Sequence, residues 1–190
     1  MNIRGKRILL RAISIDDLPL LHGWFNDPEI APGLGDAHFP SSLFHQEAWF
    51  KRALEDEATV RLAVEHMDAT LIGYTGFWEI SWRDGRAEHA VVIGSAHNRG
   101  KGYGREVIAT CCRYAFEEMG LYRLDARVLE TNRASLRAYQ ACGFQIEGTL
   151  RQHALRGGQR INLVLLGLLA SEYASWVQRT HYWETPADST

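Results

Sequence analysis

Apolar and polar positions change period several times along the chain, and each change marks an element. Lys6 to Ala12 reads as a first strand, and Ser14 followed three residues later by Asp17 has the form of a capping box, which predicts a helix running through Asn26 and ended by Pro28. The next stretch, DPEIAPGLGDAHFPS, is rich in Pro, Gly and Asp and reads as a loop within the domain. A second helix is expected from Ser42 to Glu55, where Trp49, Phe50, Ala53 and Leu54 keep helical spacing. Three strand-like runs follow, Val60–His66, Thr70–Trp82 and Arg86–Gly94, separated by the turn-like Met67-Asp68-Ala69 and Arg83-Asp84-Gly85, so the middle of the chain reads as an antiparallel meander.

After Val91-Val92-Ile93 comes a glycine-rich loop. From Arg105 apolar residues recur at 107, 108, 111, 112, 115 and 119, the stripe of an amphipathic helix with Gly120 as its C-cap. Leu124–Leu129 is a strand, Asn132–Cys142 a helix closed by Gly143, and two last strands flank Gly157-Gly158. Strand, helix and strand at 86–94, 105–119 and 124–129 make a βαβ unit, which inserts one parallel pair into an otherwise antiparallel sheet. The predicted class is therefore α/β (α+β): one domain over residues 1–179 with a mixed, mostly antiparallel twisted sheet, helices on both faces and a central βαβ parallel pair. A frayed tail is expected from 180 to 190.

Composition narrows the class. A chain of 190 residues with 46% hydrophobic content can form one good-sized core. A formal charge of -2 argues against grip on a nucleic-acid backbone, which needs a basic surface. The run Ile161–Ala170 is about half of the roughly 20 residues a membrane-spanning helix requires and reads as a buried strand, and the N-terminus lacks the apolar stretch of a secretory signal. The expected setting is the cytoplasm, with no membrane partner. Cys111, Cys112 and Cys142 form no CxxC and the eight histidines show no zinc spacing, so neither a disulfide scaffold nor a metal is expected. The aromatic content, 11%, is compatible with a homodimer.

Candidate chemistry starts at Arg99-Gly100-Lys101-Gly102-Tyr103-Gly104, between an apolar strand and a helix start. Free N–H groups and the positive end of the helix dipole attract anions, and glycines let the backbone close around a pyrophosphate. Arg99 and Lys101 add charge. A P-loop would need Gly where Ser95 stands and Ser or Thr where Gly102 stands, and the dinucleotide fingerprint GxGxxG is not matched by GxGxG. The helix after the parallel strand carries Asn132, Ser135 and Tyr139 at i, i+3, i+7, one amide, one hydroxyl and one phenol on one face. Its start and the glycine loop fall on the same edge of the sheet, where open α/β sheets bind ligands.

These residues resemble the GCN5-related N-acetyltransferase (GNAT) superfamily, in the branch similar to the RimJ/RimL acetyltransferases of protein N-termini. RGKGYG resembles the family's Arg/Gln-x-x-Gly-x-Gly/Ala loop, NRASLRAYQACGF its Asn-Tyr-Gly-Phe helix and EGTLR the strand after it, and the likeness extends from about Arg7 to Ala170. It implies an acetyl-CoA-dependent N-acetyltransferase whose sheet splays after the fourth strand. Arg99, Gly100, Lys101, Gly102, Tyr103 and Gly104 would hold the pyrophosphate of coenzyme A, Val91, Val92 and Ile93 would pair with the pantetheine arm, and Asn132 and Ser135 would contact the cofactor. Tyr139 would stand beside the sulfur as general acid, and amides near Val92 would stabilise the oxyanion. The acceptor amine, a protein N-terminus or a small amine, must be neutral to attack; Glu79 is the first candidate base and Glu88 the second, each on a strand expected to face the acceptor. Asp27, Glu29 and Asp36 could attract a cationic acceptor. The alternative from another class is a non-catalytic acyl-CoA sensor that keeps the cradle without the chemistry.

Overall fold

The three central runs pair as a meander and build outward into a single eight-stranded sheet. A computed structural model describes residues 1–34 and 39–184, with strands β1 (Ile3–Arg4), β2 (Ile8–Ala12), β3 (Val60–His66), β4 (Leu71–Ser81), β5 (Arg86–Ile93), β6 (Arg123–Leu129), β7 (Gln145–Arg156) and β8 (Gln159–Leu169). Their spatial order is β1-β2-β3-β4-β5-β6-β8-β7, antiparallel throughout except for β5 and β6. That parallel pair, the βαβ unit, stands inside the sheet as its fifth and sixth strands. Asp36 and the tail 185–190 lie outside the described residues, as do the side chains of Ala53 and Leu54.

Helices cover both faces. On one face α1 (Leu18–Phe25) places Leu18, Leu21 and Trp24 against Tyr74 of β4 and Val92 of β5, with α2 (Leu43–Glu55) beside it, its Trp49 against Phe25 and under Arg61 of β3. On the other, α3 (Tyr103–Arg113) and α4 (Arg133–Ala141) bury Val107, Ile108, Cys111, Leu136 and Tyr139 against Ile72, Phe77, Ala87 and Leu124. The helix expected over 105–119 forms in two parts, α3 and a π turn at Tyr114–Glu118, and ends at Gly120 with φ +67. The capping box at Ser14 also forms: Asp17 accepts from the Ser14 amide and additionally binds Arg11 on β2.

Two elements were missed by sequence patterning. The pair Ile3–Arg4 is too short to give an alternation. The helix α5 (Ala170–Thr180) follows β8 without a turn, so no Gly or Pro marks its start; Leu169 and Glu172 close its first turn instead. Its Tyr173 and Trp176 are buried beside Tyr182, so the segment expected to fray meets an anchored ring two residues past Thr180.

Trp24 packs against Gly94, the residue that follows β5, and a Cβ there would clash with three of its ring atoms. Gly94 therefore joins the face covered by α1 to the end of the strand that feeds the glycine loop. Gly94→Ala is expected to displace Trp24 and lower stability by about 1–3 kcal/mol in urea unfolding; wild-type stability would show that the close approach is not needed.

Candidate active site

The site is built on a strand that changes partners halfway. β5 pairs with β4 over its whole length, but with β6 only from Arg86 to Glu88. Beyond Glu88 the β6 side of β5 is open among the described residues. Which groups face that opening follows from alternation: the Gly94 amide bonds to Ile72 on the β4 side, so Val92, Ala90 and Glu88 also turn their backbone groups to β4. His89, Val91 and Ile93 turn theirs to the open edge. The amide of Val92 is thus held in the ladder, and the donors available near it are those of Val91 and Ile93.

At the end of this edge the chain enters the glycine loop. Gly100 and Gly102 have φ of +74 and +82, the left-handed region where a side chain is strained, and Gly102 caps the eleven-residue α3. No hydrogen bond is made among the described residues by the amides of Gly100, Lys101, Gly102, Tyr103 and Gly104, so five donors and a helix dipole converge on one turn. The expected cations divide. Lys101 is exposed, with its amine 3.0 Å from the His97 ring. The Arg99 guanidinium instead bonds to the carbonyls of Gly94, at 2.9 Å, and Ile93, at 3.3 Å, and pairs with Glu29 at 3.1 Å. It braces the loop rather than offering its charge. Arg7, not singled out in the sequence, stacks over the Tyr103 ring and pairs with the buried Glu106 in the first turns of α3.

Tyr139 is brought beneath the opening by α4. Asn132 caps that helix by accepting from the Ser135 amide at 3.1 Å, so its side-chain oxygen has a structural partner, and Ser135 is half-buried in the first turn. The Tyr139 ring is buried against Phe144, and its hydroxyl donates to the His89 carbonyl at 3.0 Å, on the open edge of β5. It also lies 2.9 Å from Nδ1 of His89, whose Nε2 lies 3.0 Å from the Thr75 hydroxyl. His89 and Thr75 were missed: a single histidine in EHAVVI and a threonine in GYTGF look like ordinary strand residues. Burial pushes the His89 pKa down to about 3, so the ring is neutral, and burial raises that of Tyr139 well above its usual value.

The candidate bases stand on the other face. Glu88 shares the Val92 face by alternation, and it is half-buried, with Arg127 Nε at 3.2 Å from its carboxylate. Burial raises its pKa, partly offset by Arg127. Glu79 sits at the bulge between Trp78 and Ser81 with φ +50, exposed, its carboxylate 3.5 Å from Arg127. The structure thus brings both glutamates to one arginine but gives only Glu88 an enclosed setting. Next to it Ala90 is exposed in mid-strand, which marks a gap in the helical cover of this face. Of the acidic loop residues, Asp27 accepts from the Glu29 amide and Glu29 holds Arg99, so both have local partners. Trp24 is core, while Trp82 is 60% exposed.

Residues 7–145 match the family model described as acetyltransferase (GNAT) domain. The chain is 31% identical over 155 residues to the uncharacterized N-acetyltransferase YoaA of Bacillus subtilis, covering 80% of this chain and 87% of that protein. It is 27% identical over 169 residues to spermidine N(1)-acetyltransferase of Vibrio cholerae, covering 89% and 96%. Among solved structures it resembles spermidine N-acetyltransferase from Vibrio cholerae in complex with CoA and spermine, with a TM-score of 0.82 and 26% identity over 88% of this chain and 98% of that one.

Proposed function

The chain belongs to the acetyltransferase (GNAT) domain family, and on that footing we propose that it moves the acetyl group of acetyl-CoA to a small primary amine by direct attack on the thioester. One observation carries the reading: among the described residues the β5 edge from His89 to Ile93 has no partner strand, ends at a cluster of loop amides that make no hydrogen bond, and has a buried phenol at its start. An extended pantetheine arm would add to that edge as a strand does, with its diphosphate on the amides of 100–104. The acyl carbonyl would then lie near the amides of Val91 and Ile93, which stabilise negative charge developing on its oxygen.

The division of β5 into two faces separates the proton tasks. Tyr139 reaches the opening from the α4 side and supplies the proton to the departing thiolate. Glu88 faces the exposed Ala90 from the α1 side and accepts the proton of the attacking amine, directly or through water. It is preferred over Glu79 because burial raises its pKa toward the working range, whereas Glu79 is exposed and offset by the bulge. Spermidine and spermine, named for the Vibrio cholerae relatives, make polyamines the first acceptors to try. The resemblance to the RimJ/RimL-like branch keeps an N-terminal peptide amine in the same panel.

The direct test is thiol release from acetyl-CoA with polyamines, simple amines and N-terminal peptides. Turnover with an amine above hydrolysis supports the transferase; bound coenzyme A with no turnover across the panel supports a sensor. Tyr139→Phe is expected to lower kcat on the order of 10²-fold, the low end for a lost general acid, with acetyl-CoA affinity kept. Unchanged kcat would remove the phenol from the reaction. Wild-type kcat/KM should fall at acid pH with a limb above the usual glutamate value, because a base with a raised pKa is protonated earlier, and Glu88→Gln should lower the plateau and abolish that limb. Gly102→Asp should weaken acetyl-CoA binding by about tenfold or more in calorimetry, through backbone strain and like-charge repulsion; equal affinity would move the diphosphate elsewhere.

A further inference from the structure

The Tyr139 hydroxyl has one proton and two acceptors within reach, the His89 carbonyl and His89 Nδ1. The Thr75 hydroxyl likewise has one proton and two strong acceptors, the Ala90 carbonyl at 2.7 Å and His89 Nε2 at 3.0 Å, with the Cys111 sulfur, donor or acceptor, at 3.7 Å. A neutral imidazole carries its proton on one nitrogen, so the chain has two self-consistent arrangements. With the proton on Nε2, the ring donates to Thr75, Thr75 donates to the Ala90 carbonyl, and the phenol must donate to Nδ1. That leaves the His89 carbonyl, buried beside Tyr139 on the unpaired edge, without its donor. With the proton on Nδ1, the ring donates to the phenol oxygen, the phenol donates to the His89 carbonyl, and Thr75 donates to Nε2. The Ala90 carbonyl then loses the hydroxyl, whose oxygen must move off its 2.7 Å contact, but keeps its place on the β4 side of the ladder, opposite Gly76. Only this second arrangement leaves no buried carbonyl without a donor.

We propose that His89 is a positioning residue for the acid step, held by Thr75 in the Nδ1–H form so that it donates to the Tyr139 oxygen and leaves the phenol proton directed at the open edge of β5. The proposal rests on the transferase reading above. When the carbon–sulfur bond of the adduct breaks, its electron pair goes to sulfur, and the sulfur takes the Oη proton. Tyr139 is left as a phenolate that accepts from His89 Nδ1–H, and it regains a proton from water as the products leave. Burial raises the phenol's pKa and works against this transfer; a donor aimed at the phenolate oxygen works for it. In the opposite tautomer the phenol proton would be bound to Nδ1, away from the open edge, and the phenolate left behind would face a lone pair instead of a donor. Burial that keeps the ring neutral is what makes the tautomer, rather than a charge, the controlling variable.

Two measurements test this. Long-range ¹H–¹⁵N spectra of the protein labelled at histidine, with His89 assigned by its loss in His89→Asn, should show the Nδ1–H tautomer in the free protein and with coenzyme A bound; an Nε2–H ring in both overturns the proposal. Thr75→Val, which removes the hydroxyl while keeping shape, should shift the ring away from the Nδ1–H form; no shift would show that Thr75 does not hold it. In kinetics, with the best amine of the panel, His89→Phe should lower kcat about tenfold, the worth of one good hydrogen bond, with KM for acetyl-CoA unchanged. His89→Asn, whose amide nitrogen takes the Nδ1 position, should recover most of the loss. The decisive case is His89→Phe in a Tyr139→Phe background: no further loss supports the proposal, whereas the same tenfold loss there means that His89 only packs. If Tyr139→Phe alone keeps full kcat, the acid role of the phenol and this proposal with it are overturned while the transferase reading stands; if no amine turns over, it is the transferase reading that fails, and the tautomer still reports on His89 separately.

Discussion

Everything at this site depends on where β5 stops pairing with β6. The two strands share a ladder for three residue pairs, and then β6 continues with β8 while β5, among the described residues, keeps only β4. A central strand with a bare edge is costly, since its amides and carbonyls are obligatory hydrogen-bonding groups. The fold holds the opening with rigid neighbours: Trp24 clamps Gly94 from one face, and α3 and α4 pack under the other. The bare edge is therefore a fixed feature of the molecule, and a ready place for an extended ligand to complete the sheet.

Beneath the opening, a chain of side chains runs from Cys111 through Thr75 and His89 to Tyr139. Burial drives each of the titratable groups in it to its neutral form: the Cys111 thiol is pushed up to about 12, the histidine is pushed down and the phenol up. A neutral chain costs far less to bury than an ion pair, and each polar atom along it has a partner. The same neutrality means that direction of donation, rather than charge, is what this network can transmit to the phenol.

The opposite face has a different character. Its charges are paired across strands through Arg127, which links Glu79 on β4 and Glu88 on β5 from its place on β6. The glycine loop is tied to Glu29 in a similar way by Arg99, and the start of α3 is tied to the N-terminal segment by Arg7. In each case a guanidinium, with donors in a fixed fork, holds parts of the chain that are distant in sequence.

Much of this was legible along the chain. The meander, the βαβ unit, the glycine loop before α3 and the face of α4 all follow from local period and turn chemistry, because those signals act between residues a few positions apart. The C-terminal helix was within reach, since Tyr173, Trp176 and Val177 keep helical spacing, but no punctuation separates it from β8. What tertiary structure alone decided is which distant groups meet: that Arg99 reaches Glu29, that Glu88 is half-buried beside Arg127 while Glu79 is exposed, and that Tyr139 finds His89 fifty positions away. Side-chain partners across strands depend on register, bulges and helix placement, and one residue of slip reverses a strand's faces. Local sequence could specify the elements and the glycine loop; only the packed sheet could decide which side chains meet beneath the open edge.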